Sequence, residues 1–318
     1  MKKLIQPRDK KISDYLRESE FALSAEVIPP RNGAEQELIL TQIENLIDSG
    51  AEFLSVTKGA GGSLRGGSLP IVHAIKENFG VPCVAHFTCR DLTPQEVENQ
   101  LIDHHYFGIR NILALRGDPP QGQPDWKPKA GSYEYAYQLI NQIKNLNAGK
   151  YLDRPDGPIG PKNKATDKTD FCIGSAVYPE HPHEQERLDF FKLKVEHGAE
   201  YGITQMIFDA DAYGRFMDLC QKNKINVPVI PGSRILKSSD QGHRMAQRFQ
   251  VSMPNSLASK LPTDDDVKKD PKAAHEKSLN AFVDFTTRLK ALGAPGLHVF
   301  VLSDTDISCQ FIDRLTKI

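Results

Sequence analysis

The feature that most narrows the fold of this chain is a repeated switch between two hydrophobic periods. Short β-branched or apolar runs occur at residues 21–28, 53–57, 81–88, 111–117, 171–178, 202–208, 227–232 and 296–302. Between them apolar residues recur at helical spacing, as in Ile39, Ile43, Leu46 and Ile47, in Ile71, Ile75 and Phe79, in Leu188, Phe191 and Val195, and in Phe282, Phe285 and Leu289. Thr93-Pro94-Gln95-Glu96 combines a capping box with proline at the first helical position, and Gly80, Gly108, Gly198 and Gly293 stand where helices should stop. Strand and helix alternating about eight times predicts an α/β fold, a (β/α)8 TIM barrel. A doubly wound sheet is the competing solution. At 318 residues the chain suits a single barrel domain over 1–318, with an N-terminal extension and an insertion before strand five at residues 146–169. Residues 250–276, a short helix followed by a charge run, read as a solvated connection.

The strand ends favour the barrel. In strand one, Phe21, Leu23, Ala25 and Val27 share the face that suits outer helices, so Ala22, Ser24, Glu26 and Ile28 point into the lumen. The same alternation turns Ser55 and Thr57, Val84 and His86, then Ala114, Arg116 and Asp118, then Gly174, Ala176 and Tyr178 inward, and Gln205 follows Ile203. Polar groups thus collect at the carboxyl ends of successive strands, where barrels of this kind keep their reactive groups.

Charge and composition limit the partners. Forty Lys and Arg against 41 Asp and Glu leave a net charge of −1, which offers no basic field for nucleic acid or an anionic membrane. Nothing approaches a membrane-spanning run, and the N-terminal MKKLIQPRDKK lacks an apolar segment behind its charges. The expectation is a cytoplasmic protein acting on a small molecule. The five cysteines, Cys83, Cys89, Cys172, Cys220 and Cys309, are scattered in apolar surroundings and read as buried reduced thiols. No metal site is expected: His181-Pro-His183 and His104-His105 lack further ligands at suitable spacing. A Gly-x-Ser-x-Gly nucleophile elbow is absent as well.

A carboxyl group among small and apolar neighbours in a barrel mouth is disfavoured as an anion, so Glu26 could hold a proton near neutral pH and act as a general acid. Pairing with Arg31 or Arg116 would instead keep it ionised. Leu115-Arg116-Gly117-Asp118 brings a cation, a glycine and a carboxylate to one strand end. Gly59-Ala-Gly-Gly-Ser63 with Gly66-Gly67 is either a phosphate cradle or a flexible rim loop.

Taken in order, Ser24-Ala-Glu26-Val-Ile-Pro-Pro30, Val56-Thr-Lys-Gly-Ala-Gly-Gly-Ser63, Ala85-His-Phe-Thr-Cys-Arg90, Leu113-Ala-Leu-Arg-Gly-Asp118, Tyr178-Pro-Glu180 and Ile203-Thr-Gln-Met-Ile-Phe-Asp209 resemble methylenetetrahydrofolate reductase over roughly residues 20 to 302. The resemblance implies an FAD-bearing barrel that reduces 5,10-methylenetetrahydrofolate to 5-methyltetrahydrofolate by a ping-pong hydride transfer, with NADH or NADPH as donor. It places the protein in one-carbon metabolism, on the route to methionine. Glu26 then matches the general acid that opens the imidazolidine ring, and Asp118 the carboxylate beside flavin and pterin. Gln205 matches the amide facing the pterin. Thr57, His86, Arg116, Gly117, Asp118, Tyr135, Ala136, Ala176, Tyr178, His181 and Lys194 match FAD contacts, with Thr57 also near substrate. Members are commonly homo-oligomers.

Three positions depart from the family pattern. Arg187 stands where an Asp precedes the helix lysine by seven residues, Gln138 where an Asp is common, and Leu302-Ser-Asp304 where Leu-Asn-Arg is favoured. An acid at 304 is expected to repel the glutamate tail of a folate. That change keeps two alternatives open: a folate-dependent methyl-transferring or demethylating enzyme on the same barrel, and a folate- or flavin-binding subunit that depends on a partner.

Overall fold

A computed structural model describes residues 9–30, 34–63, 66–120, 122–123, 125–153, 167–180 and 182–317. Eight parallel strands close in sequence order, which excludes the doubly wound sheet. They are β1 (Ala22–Val27), β2 (Phe53–Val56), β3 (Cys83–Thr88), β4 (Asn111–Leu115), β5 (Cys172–Val177), β6 (Tyr201–Met206), β7 (Val229–Ser233) and β8 (Gly296–Phe300). The seam is the β1–β8 ladder, from Ala22 opposite Gly296 to Glu26 opposite Phe300. A short helix α1 (Ile12–Glu18) precedes β1. The outer ring contains α2 (Gln36–Asp48), α3 (Ser68–Ala74), α4 (Pro94–Tyr106), α5 (Ala136–Asn147), α6 (Glu184–His197), α7 (Ala210–Lys222) and α8 (Ser239–Phe249). After two short helices, α9 (Asn255–Ala258) and α10 (Asp264–Lys269), the long α11 (Pro271–Ala291) leads into β8, and α12 (Thr305–Leu315) follows it.

The hydrophobic core has two layers. Between strands and helices, Leu23, Ala25 and Val27 of β1 meet Ile39, Ile43 and Leu46 of α2, as the helical periodicity requires. Inside the barrel a second cluster joins Ala22, Phe53, Val84, Leu113, Cys172, Tyr201, Ile203 and Ile230 to Ile12 and Leu16 of α1. The N-terminal extension therefore plugs the amino end of the lumen. A seven-residue helix is too short to persist alone, and this one is fixed by docking. The Ile12 N–H donates to Asn111 Oδ1 at 2.9 Å, and Asn111 Nδ2 donates to Asp9 Oδ2 at 3.0 Å.

The predicted punctuation is present. The Thr93 N–H donates to the Glu96 carboxylate at 2.7 Å while Glu96 N–H returns to Thr93 Oγ1 at 3.3 Å. Of the insertion, residues 154–166 lie outside those described, and Asn147 at its start donates to the Phe171 carbonyl at 2.8 Å. One expectation is corrected. Ala114 packs against the helices with Ile112, and Leu113 faces the lumen, so the parity of β4 is opposite to the one read from the sequence. Arg116 and Asp118 come to the rim as loop residues beyond the end of β4. All five cysteines are free thiols, and four are buried. Among the described residues no helix is long and apolar enough to cross a membrane.

Candidate active site

Glu26 sits near the carboxyl end of β1, on the lumen face, with 9% of its surface exposed. Across the lumen, His86 of β3 brings Nε2 to 3.5 Å from Glu26 Oε2. Burial pushes the Glu26 carboxyl up to about 8 and the His86 imidazole down to about 3. Both are therefore neutral near pH 7, and the contact joins a protonated acid to a neutral ring rather than two charges. The alternative in which Arg116 keeps Glu26 ionised is not realised: Arg116 is exposed, and among the described residues burial alone sets the state of the acid. Arg31 lies outside the described residues.

Three buried polar atoms on these rims, Thr57 Oγ1, His86 Nε2 and Thr88 Oγ1, have no hydrogen-bond partner among the described residues. Each such atom costs about 1–3 kcal/mol, so an unpartnered group of this kind asks for a ligand or a mechanistic role. Below them lies His298 of β8, fully buried, with Ser24 Oγ 2.8 Å from its Nδ1 and Ser55 Oγ 3.2 Å from its Nε2. Burial, and then the neighbouring His86, push its pKa down to about 3, so the floor beneath Glu26 is polar but uncharged. His298 shares the lumen face with Phe300 in the run read as a strand, which is the signal that would have found it.

The edges of β4 to β6 carry the remaining candidates. Gly117 has φ of 94°, and a Cβ there would lie 3.0 Å from Arg90 Cβ and 3.2 Å from Thr88 Cβ. This close turn exposes Asp118, whose Oδ2 accepts the Gly61 N–H at 2.9 Å while its carbonyl accepts from the Arg90 guanidinium. One amide of the glycine-rich loop thus holds a carboxylate. Lys194 of α6 donates to the Ala176 carbonyl at 2.8 Å and lies 5.7 Å from the Tyr178 ring centre. Burial and then Arg116 lower its pKa to about 8. Tyr135, just before Ala136 opens α5, is exposed and stacks on Tyr137 and Phe190 at 5.7 and 5.8 Å. His181 lies outside the described residues.

Gln205 lies within a register irregularity in β6 between Ile203 and Met206. Its Oε1 accepts the Met206 N–H at 2.8 Å, and Thr204 Oγ1 takes the Gly232 N–H at 2.8 Å in place of a ladder partner. Gln205 lines a cavity of about 180 Å³ with Tyr178, Glu180, Phe249 and Val251. Glu180 Oε1 accepts the Ser252 N–H at 2.9 Å, tying the chain after α8 to the end of β5.

The three departures have local explanations. Arg187 lies 5.3 Å from the Phe216 ring centre and 3.6 Å from Glu184, turned into the α6–α7 packing. Gln138 Oε1 accepts the Glu134 and Tyr135 N–H groups at 2.9 and 3.0 Å, capping α5. Asp304 is held by Arg234 and, at 2.6 Å, by Lys237. Burial works against its charge, but the hydrogen bonds from Lys237 and Arg234 prevail and keep its carboxyl below the usual range. The expectation of a bare repelling acid at 304 is therefore revised. Neither cation was singled out in the sequence, because the strand reading stopped at Gly232, two residues short of Arg234.

Comparison with known proteins converges on one family. A family model described as methylenetetrahydrofolate reductase matches residues 11–316. The chain is 30% identical over 295 residues to 5,10-methylenetetrahydrofolate reductase of Escherichia coli, covering 92% of this chain and 89% of that protein. It is 29% identical over 314 residues to methylenetetrahydrofolate reductase 1 of Schizosaccharomyces pombe, covering 96% of this chain and 48% of that one. The chain thus spans about half the length of such longer relatives. Among solved structures, an uncharacterized Clostridium thermocellum protein that binds two copies of 5-methyl-5,6,7,8-tetrahydrofolic acid superposes with a TM-score of 0.58 at 15% identity, covering 96% of this chain and 98% of that one. This last likeness concerns the fold. With the family match running from the plug helix to α12, the chain belongs to the methylenetetrahydrofolate reductase family.

Proposed function

We propose that this protein reduces 5,10-methylenetetrahydrofolate to 5-methyltetrahydrofolate, with FAD as prosthetic group and NADH or NADPH as donor, in a ping-pong sequence. The observation that carries the reading is Glu26, a carboxyl buried in the lumen of a barrel of this family, where burial raises its pKa to about 8. General-acid work needs a proton donor whose pKa lies near the operating pH. Glu26 would deliver its proton to the folate ring nitrogen as the imidazolidine ring opens. Neutral His86 beside it and uncharged His298 below add no positive charge that would pull that proton affinity down.

The residues present fit a planar polar prosthetic group along β2 to β5. The unpartnered Thr57, His86 and Thr88 atoms offer hydrogen bonds, and the missing Cβ of Gly117 lets backbone come close. Arg116, Gly117, Asp118, Ala176, Tyr178 and Lys194 would also hold the group, together with Tyr135 and Ala136; His181, the remaining candidate, lies outside the described residues. When bound, the flavin supplies the hydride for the folate methylene carbon. Asp118, fixed by Gly61, would set the electrostatics at the shared edge of cofactor and pterin, and Gln205 would orient the pterin from β6. The alternative of a methyl-transferring or demethylating enzyme drew on an acid facing the substrate at 304. With that acid neutralised by two cations, the alternative loses its support.

The test is spectroscopic. Purified protein should be yellow, bleach on anaerobic addition of the nicotinamide donor, and regain colour on addition of methylenetetrahydrofolate. Glu26→Gln should abolish the second step, by about 100-fold or more, and leave the first intact. Equal loss in both half-reactions would remove Glu26 from the acid role.

A further inference from the structure

The carboxyl end of β8 carries an aromatic ring that the proposed chemistry leaves unused. Phe300 is the last residue of β8, pairs with Glu26 across the seam and follows His298 in the lumen-facing alternation. Its ring leans away from the acid, toward β7, and lies over Gly232, where a Cβ would fall 2.5 Å from Phe300 Cε2 and 2.7 Å from Cζ. A glycine inside a strand forgoes packing and costs chain entropy, and it belongs where something must approach closely. Here that something is the Phe300 ring. Gly232 in turn pairs with Met206 of β6, and its N–H donates to Thr204 Oγ1 at 2.8 Å. The ring therefore reaches from the strand beside Glu26 to the strand beside Gln205, which stands between Thr204 and Met206. From below it is braced by the His298 ring, 5.4 Å away between centres and at 86° to it. His298 cannot recede, because Ser24 and Ser55 engage both of its ring nitrogens.

The ring is nevertheless not closed over. Phe300 is half-buried, whereas Glu26, Gly232 and His298 around it are buried. An apolar ring left partly open between an acid and an amide offers a flat, rigid surface to a flat ligand, because aromatic rings pack at a defined spacing and Phe has few rotamers to lose. We propose that Phe300 is a specificity-determining residue for the folate: its ring, seated in the Gly232 notch, is the stop against which the pterin rests between Glu26 and Gln205, and it sets the depth at which the folate ring nitrogen meets the acid. The assignment rests on the reductase reading and adds to it the surface that positions the substrate ring. Without the stop, the pterin would settle deeper in the lumen and out of line with the Glu26 proton.

Two measurements on the purified, flavin-loaded protein test this. One is the Kd of 5-methyltetrahydrofolate for the oxidised form, by titration calorimetry; the other is the rate at which saturating methylenetetrahydrofolate restores the flavin colour in a single turnover. Phe300→Ala should raise Kd about five- to thirtyfold, the range of one lost aromatic contact, and slow the single turnover about tenfold through misplacement of the ring. Phe300→Leu keeps apolar cover without the flat face and should fall between wild type and the alanine variant on both measures; it carries the test alone if Phe300→Ala does not fold. Flavin content, read from the visible spectrum, should be unchanged in both variants, since the proposed cofactor residues belong to β2 to β5 and α6. Wild-type Kd and turnover in the folded variants overturn the inference and leave the reductase reading standing. Loss of flavin in step with folate affinity overturns it too, since that marks a merely structural ring. A wild type that neither binds the folate product nor turns over the substrate refutes the reading, and the inference with it.

Discussion

At the scale of single residues, burial without countercharge decides what Glu26 can do, and the same burial couples it to stability. Its pKa is about 8 in the folded protein against an ordinary 4.5, so the folded state binds more protons than the unfolded chain between those values. Its contribution is therefore fully present below pH 4.5 and is lost as pH rises through 8. His86 and His298 work in the opposite sense: with folded values near 3 against 6.5, their contribution is present above pH 6.5 and lost as pH falls through 3. Denaturant unfolding of wild type and Glu26→Gln across pH 5 to 8 should separate the two effects. The difference between the proteins should grow with pH by up to about 1.4 kcal/mol per unit, the variant losing less. Parallel stability curves would show that Glu26 ionises normally. The inward aim of Glu26 was legible from the alternation of β1. Its protonation was legible only as one of two outcomes, a raised pKa or pairing with an arginine, and the choice between them rests on burial in the closed lumen rather than on any local pattern.

Elements were legible where one face is polar and illegible where both are apolar. The β1 alternation survives in the structure, but Ile112-Leu113-Ala114-Leu115 is apolar throughout, and a strand of a parallel sheet buried on both faces gives no parity to read. The reversed assignment of Ala114 follows from that. Arg116 and Asp118 still reach the rim, because Gly117 turns the chain with φ of 94° just past β4. Gly117→Ala should cost about 1–3 kcal/mol, since it adds left-handed strain and a Cβ 3.0 Å from Arg90. Thermal unfolding would show the loss, and the proposed folate reduction should fall with it as Asp118 shifts. Helix α1 went unseen because seven mixed residues carry too little periodicity. Its value lies in Ile12, which is fully buried beneath the lumen. Ile12→Ala should destabilise by about 2–5 kcal/mol with kcat nearly unchanged, as the plug is at the end of the barrel away from Glu26. A collapse of kcat at full occupancy of folded protein would contradict that separation.

For the whole molecule, the count of alternating units was enough to predict a barrel, but nothing local in the sequence says how its first and last strands meet. That seam joins residues more than 270 positions apart and depends on Gly296. A Cβ at Gly296 would lie 2.1 Å from the Ala22 carbonyl oxygen and 2.9 Å from its carbonyl carbon and nitrogen. These are backbone atoms already committed to the ladder, so neither strand can yield without opening the ring. An opened ring exposes two unpaired edges and uncovers the lumen, which couples the seam to Glu26 on one side and to the α1 plug on the other. Gly296→Ala should therefore cost more than about 3 kcal/mol, above ordinary overpacking, and lower Tm by about 6 °C or more. Gly66→Ala, where a Cβ meets nothing within 4 Å, is the matched control and should be close to neutral. If the chain folds as one unit, wild-type unfolding followed by far-ultraviolet circular dichroism and by fluorescence of Trp126, its single tryptophan, should coincide. Gly296→Ala should then move both curves together. A variant that shifts one signal and not the other would mean that the seam can open while the rest of the barrel stays folded.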